Sequence, residues 1–267
     1  MAQTTPVHFF DITSTLPGPS KSWSPNTLKA RMVLNYKRIP YVESFISYPD
    51  IAPLISHQFG LPPNAEGIPF TLPAISHPPT VTENPHGALM DSFAIAAHLD
   101  RNFPSPPLFP SLDASYALAL AVDKLINKVA AKGRTLIIPR IADILDPRGR
   151  EYFIKTRSAW FGMPLSQLRP RDEREVRAMV DGMKTELATI AQMLRGRIGK
   201  KGPFFEGVRP GYADFLVVAF LAWVERADKE LWRELVSVGD GPLQALWDAC
   251  RPWMEGQGEV KEWEVRR

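Results

Sequence analysis

One cysteine in 267 residues, Cys250, leaves the chain without an intramolecular disulfide, a CxxC redox pair or a cysteine-built zinc cluster. Long apolar runs are missing too. The longest, Phe215 to Val224, is about half of the roughly 20 residues a membrane-spanning helix needs, and it follows Asp214. It therefore reads as a buried core helix, and no membrane contact is expected. Met1 to Pro6 carries no basic stretch leading into an apolar run, so a cytoplasmic protein is expected. Neither charge dominates: the formal net charge is +3, and the arginines are dispersed without interleaved aromatics. That argues against a nucleic-acid partner. Histidine is scarce and confined to the first hundred positions. His77 and His86 stand nine residues apart without the spacing of a helix-borne ligand pair, so no metal is expected.

Proline is plentiful but unevenly placed. Of 26 prolines, 18 fall in residues 1–110. Residues 104–113, opening Pro104-Ser105-Pro106-Pro107, read as a linker, because proline fixes extended backbone and removes helix donors. The chain is accordingly divided into 1–103, the linker, and 114–267.

The first part mixes strand and helix signals. Val7–Ile12 is short and rich in aromatic and β-branched residues, like a buried strand. Residues 26–38 carry Leu28, Met32 and Tyr36 at helical spacing and stop at Pro40. Strand patterns recur at 41–46, 71–75 and 87–90, and helical ones at 50–59 (with Asp50 as cap) and 92–102. The order β-α-β-α-β-β-α predicts an α/β unit with a mixed four-stranded sheet. After the linker every segment is helical: 114–132, 149–161, 171–195, 211–227, 229–236 and 242–254. The fold class is α/β followed by an all-α bundle.

Three short segments carry the chemistry. Ser24-Pro25-Asn26-Thr27 sets a hydroxyl at the mouth of a helix, where unpaired N–H groups and a partial positive charge favour an anion. Read alone, Ser24 is equally a helix cap ahead of Pro25. Leu72-Pro73 opens a strand, which by itself is an ordinary strand-edge proline. Asp91-Ser92 opens the next helix, either as a simple cap or as a grip for a carboxylate and an ammonium.

Taken together, the proline-rich α/β unit, the linker and the helical bundle resemble a cytosolic glutathione transferase over nearly the whole chain. Ser24 to Arg31 is similar to the helix-entry motif of the serine-type classes. Gly202-Pro203-Phe204-Phe205-Glu206-Gly207 through Tyr212-Ala213-Asp214-Phe215 resembles the family's motif before its central helix. The longer C-terminal half, with Arg157-Ser158-Ala159-Trp160-Phe161, looks closest to the fungal etherase-like FuA class. The resemblance implies a thioredoxin-like first domain, glutathione as cosubstrate, a homodimer, and small aromatic or hydrophobic molecules as partners. It implies catalysis by Ser24, whose hydroxyl donates to the glutathione sulfur. Glutathione binding falls to Asn26, Leu72 and Pro73 (a cis-proline turn), Asp91, Ser92, His57 and Gln58. Leu16, Trp23, Ile126 and Ile138 are the candidates for the hydrophobic-substrate site, and Asp214 for a folding role. Serine in place of cysteine implies thioether chemistry or ether cleavage. The other function such folds serve is non-catalytic carriage of aromatic ligands or regulation.

Overall fold

The computed structural model describes residues 5–266, within which the chain separates into two compact units. The first comprises the chain through Pro107, Asp146–Tyr152 and the residues from Trp253 on; the second comprises Leu108–Leu145 and Phe153–Pro252.

In the first unit, β1 (Val7–Ile12), α1 (Pro25–Tyr36) and β2 (Tyr41–Ile46) form a parallel βαβ unit in which Phe9 pairs with Glu43 and Ile12 with Ile46. A short α2 (Tyr48–Ala52) runs into a π-helical turn, Pro53–Gln58. Then β3 (Ala74–Ser76) lies antiparallel to β1, β4 (Ala88–Met90) antiparallel to β3, and α3 (Ser92–Asn102) packs against α1. As an inner strand, β1 is buried on both faces, which is why its pattern is nearly continuous and not alternating. Pro25 stands at the first helical position, where its missing N–H costs nothing, and Leu28 and Met32 bury completely below it. Ser47, not Asp50, is the residue before α2. Asp50 lies in the first turn and takes a bidentate pair from Arg148 at 2.8 Å on each oxygen.

The expected four-stranded sheet is corrected to five, in the order β4-β3-β1-β2-β5. The added strand, β5 (Glu259–Val260), comes from the far end of the chain and pairs parallel to β2 through Val42 and Glu43. Both its residues are exposed, so no apolar pattern marks it; edge pairing alone makes it a strand. The helical domain expected to run to residue 267 thus gives up its last residues to the first unit, together with Asp146–Tyr152. Trp263 anchors this tail on the sheet, with ring centroids 5.0 Å from Phe10, 4.8 Å from His8 and 6.1 Å from Phe59. Aromatic pairs of this kind contribute about 0.5–1.5 kcal/mol each beyond the area they bury. His8, desolvated there and facing Lys261, has its imidazole pKa pushed down to about 4, so at neutral pH the tail rests on an uncharged ring.

In the second unit, α4 (Asp113–Ile141) packs against α7 (Glu173–Arg195) and α8 (Tyr212–Ala227). The remaining helices are the latter part of α5 (Pro147–Phe161), α6 (Leu165–Leu168), α9 (Lys229–Val236) and most of α10 (Pro242–Glu255). α4 runs past the expected end at Lys132 and through Pro139, because Leu136, Ile137 and Ile141 continue its buried face. At Gly133 a Cβ would lie 2.1 Å from the Met183 sulfur, so any larger residue there would displace the Met183 side chain. α8 is buried nearly all round, as its composition requires. Asp214, 1% exposed, joins its start to the preceding loop: Oδ2 accepts the Gly211 N–H at 2.8 Å and Oδ1 the Phe205 N–H at 2.9 Å. Glycine at the cap position has no side chain to return the bond; its carbonyl accepts the Asp214 N–H at 3.1 Å instead. Among the described residues, no helix is long and apolar enough to cross a membrane.

Candidate functional site

The register of the sheet assembles the site. Ala74 pairs with both Phe10 and Met90, so Leu72-Pro73 before β3 and Asp91-Ser92 after β4 emerge side by side. They do so at the end of the sheet where β1 finishes and the 13–24 loop begins. Ligands of open α/β sheets characteristically sit outside the carboxyl ends of such strands. Thr71 N–H donates to the Met90 sulfur at 3.4 Å and fastens the two segments together.

Ser24 is the residue before α1, in extended conformation. Its carbonyl begins the helix by accepting from Leu28 N–H at 3.0 Å and from the Thr27 hydroxyl at 3.2 Å. Its own hydroxyl caps nothing. Although Ser24 is only 4% exposed, that oxygen is not among the buried polar atoms left without a partner, so the surface the residue keeps includes its hydroxyl. A donor that the fold holds in place but does not use is thus presented at a helix N-terminus. Asn26 is exposed, with its amide oxygen taken by Lys29 at 3.1 Å; its backbone N–H is one of the donors of the first helical turn.

The Leu72–Pro73 bond is cis. Among the described residues, no hydrogen bond uses the backbone N–H or C=O of Leu72, which leaves a strand edge able to pair with an extended peptide. Asp91, and not Ser92, caps α3: its Oδ1 accepts from Phe93 N–H at 2.9 Å and Ala94 N–H at 3.0 Å. Its backbone sits at φ 80°, a region that costs a non-glycine residue about 1–3 kcal/mol and recurs at ligand clamps. The carboxylate is exposed, and Oδ2 takes no part in the cap. Ser92 is buried at the first helical position.

His57 and Gln58 line a different cleft, of about 570 Å³, together with Ser76, His86, Trp263 and Arg266. Gln58 is committed to the tail: its amide N–H donates to the Glu264 carbonyl at 3.0 Å and its oxygen accepts from the Trp263 indole at 3.2 Å. The four hydrophobic-site candidates do not gather in one unit. Half-buried Leu16 and buried Trp23 belong to the first, Trp23 beside Tyr48 with centroids 6.3 Å apart, whereas Ile126 and Ile138 are buried on α4 of the second.

Sequence reasoning missed a buried polar cluster beneath the Ser24 loop. Arg31, 1% exposed, donates to Asp11 at 3.2 Å and to Glu43, both wholly buried. Asp11 also accepts the Ser22 hydroxyl at 2.5 Å. Two carboxylates against one guanidinium leave an excess of buried negative charge, and burial, outweighing the attraction of Arg31, pushes the Glu43 carboxyl up. The signal was present in the sequence: a charged residue stands inside each of two otherwise strand-like runs, and a third among the apolar positions of α1.

Comparison with known proteins agrees with this architecture. The family profile for the glutathione S-transferase N-terminal domain matches residues 23–102, and that for the C-terminal domain matches residues 117–253. The glutathione S-transferase-like protein ustS of Aspergillus flavus is 59% identical over 97% of this chain and 95% of its own length. Among solved structures, a glutathione S-transferase of Ceriporiopsis subvermispora in complex with glutathione is 28% identical, with TM-score 0.79 over 93% of this chain and 98% of that one. Glutathione transferase GSTFuA3 from Phanerochaete chrysosporium is 26% identical, with TM-score 0.81 over 94% of this chain and 98% of that one. With both domain profiles matched and a relative of this identity along nearly its full length, the chain belongs to the glutathione S-transferase family.

Proposed function

We propose that the protein is a glutathione transferase in which the Ser24 hydroxyl holds the glutathione sulfur as a thiolate for attack on hydrophobic, aromatic electrophiles, aryl ethers among them. The observation that carries this reading is the unused Ser24 hydroxyl at the open end of α1. A thiol is nucleophilic as its thiolate, and an ordinary one ionises near pH 8.5, so a site working at neutral pH must favour the charged form. Ser24 donates one hydrogen bond to sulfur, while the α1 N-terminus and the Asn26 N–H groups supply a field of the right sign. Leu72 pairs its backbone with the cysteinyl part of the tripeptide. The α3 N-terminus at Ser92 receives the γ-glutamyl carboxylate, and the free Asp91 oxygen its ammonium. In the reaction the sulfur lone pair forms a bond to an electrophilic carbon, and the leaving group departs with its electron pair.

The test is an ultraviolet titration of thiolate in the complex of wild-type protein with glutathione. Half-ionisation is expected about 2–3 pH units below that of free glutathione, each unit corresponding to about 1.4 kcal/mol of preference for the thiolate. A midpoint equal to that of the free tripeptide overturns the reading. The glutathione-bound relatives support the choice of ligand. The family also supports a homodimer, for which sedimentation at micromolar concentration should return twice the 30.0 kDa chain mass. A single-chain mass there rules it out.

A further inference from the structure

We propose that the C-terminal tail is a positioning element for Ser24, acting through Arg31, Asp11 and Ser22. This inference rests on the thiol-activating role of Ser24 and adds to it the part of the chain that sets the hydroxyl in place.

The path is continuous, half-buried at Gly256 and buried from Arg31 to Ser22. The Gly256 carbonyl accepts from Arg31 Nη1 at 3.1 Å and from the Asn35 amide at 2.9 Å. Arg31 Nη2 holds Asp11 Oδ2 at 3.2 Å, and the same oxygen receives the Ser22 hydroxyl. Asp11 Oδ1 accepts its neighbour's N–H, from Ile12 at 2.6 Å, which fixes the carboxylate plane. Ser22 stands two residues before Ser24, and its hydroxyl ties this end of the loop to a β1 side chain, beside the Trp23 indole N–H that donates to the Thr13 carbonyl at 3.4 Å. Ser22 is 1% and Asp11 0% exposed, so no water stands ready to replace a lost partner.

The seat of the tail is shaped for close approach. At Gly256 a Cβ would lie 2.7 Å from the Asn35 amide nitrogen, and at Gly258 one would lie 2.6 Å from the Tyr41 ring. Asn35 also donates to the Trp253 carbonyl at 2.7 Å and accepts from the Tyr41 hydroxyl at 3.1 Å. Beyond it, β5 and Trp263 keep the tail on the sheet. Removing the tail takes from Arg31 its half-buried Gly256 acceptor and opens the guanidinium to water. The guanidinium then shares its charge with solvent and loosens its grip on Asp11, whose bond orients Ser22.

The experiment measures the pH midpoint of bound-glutathione thiolate in wild type, Ser22→Ala, Ser22→Thr, and a chain ended after Glu255, with Ser24→Ala as control. Ser22→Ala and the shortened chain are expected to raise the midpoint by about half to one unit while changing the KM for glutathione less than about twofold. Combined, they should raise it no further than the larger single effect, since both act along one path. Ser22→Thr, which keeps the hydroxyl, should restore the wild-type midpoint. A merely structural tail would lower the melting temperature and leave the midpoint in place, and that result overturns the proposal. If the shortened chain fails to fold, Ser22→Ala decides alone: an unmoved midpoint refutes it. A Ser24→Ala control that leaves the midpoint unmoved defeats the thiol-activation reading, and the inference with it. A raised midpoint in Ser24→Ala beside an unmoved one in Ser22→Ala defeats the inference alone.

Discussion

Asp214→Ala is expected to destabilise the protein by about 2–6 kcal/mol, a large share of the roughly 5–15 kcal/mol that holds a domain folded. Two N–H groups, of half-buried Phe205 and buried Gly211, lose the Asp214 carboxylate as acceptor. Each orphaned donor costs about 1–3 kcal/mol, and the Gly211 bond is itself the side-chain half of the helix cap, so the two together cost about 2–6 kcal/mol. Glycine at the cap position cannot compensate. The same site has a pH signature. Burial pushes the Asp214 carboxyl up to about 7 from an ordinary 3.8, against the two N–H bonds and Lys200, which favour its charge. The folded state therefore holds this proton more tightly than the unfolded chain. The resulting stability is complete below the unfolded value and is lost as pH rises from about 4 through 7. Denaturant unfolding of wild type should show a lower stability at pH 8 than at pH 5 from this group, and Asp214→Asn, which cannot titrate, should flatten that slope. An alanine variant as stable as wild type would remove Asp214 from the folding role given to it.

How much of this could be read in the sequence depended on what made each element. β1, β2, α3 and α9 carry their own instructions: an apolar run or stripe bounded by a cap, a loop or a proline, as Pro40 separates α1 from β2. β5 carries none. Glu259 and Val260 are exposed and become a strand only because β2 offers an unpaired edge, a fact of tertiary structure that a local pattern cannot hold. α4 exceeds the expected 114–132 because the apolar face on both sides of Pro139 continues into the core, which holds the helix through a residue that would interrupt it alone. At the site, Ser24, Leu72-Pro73 and Asp91-Ser92 are legible through a resemblance of motifs, and the register of β3 against β1 and β4 sets the last two of these side by side. Gln58 was chosen by position along the chain, but its hydrogen bonds are spent on a tail about two hundred residues away. The Arg31 cluster shows the reverse case. Its charges were visible inside apolar runs, and only their mutual burial reveals that they form one network reaching from Gly256 to Ser22.

The second large effect is kinetic. Ser24→Ala is expected to lower kcat/KM for an activated chloroarene by about 10- to 100-fold at neutral pH, with the KM for glutathione changed less than about twofold. Losing a preorganised donor to an oxyanion costs about 2.7–4 kcal/mol, but sulfur is a larger and weaker acceptor. About 1.4–2.8 kcal/mol is the corresponding range here, equal to a thiol midpoint raised by one to two units. Binding survives because Leu72, Asp91 and the α3 N-terminus are untouched, and some activation survives because the α1 N-terminus still presents its N–H groups. The pH dependence distinguishes this role from others. As pH rises past the ionisation of free glutathione, near or above the value of about 8.5 for an ordinary thiol, the variant gains thiolate without assistance, and its deficit should shrink steadily. Steady-state rates from about pH 6 to pH 9 report this directly. A deficit that stays constant across the range would assign Ser24 to orienting the sulfur, and no deficit at all would remove it from catalysis. Alanine here leaves Pro25 and the helix start intact, since Ser24 begins α1 through its carbonyl and not its hydroxyl, so lost activity with an unchanged melting temperature is attributable to the missing donor.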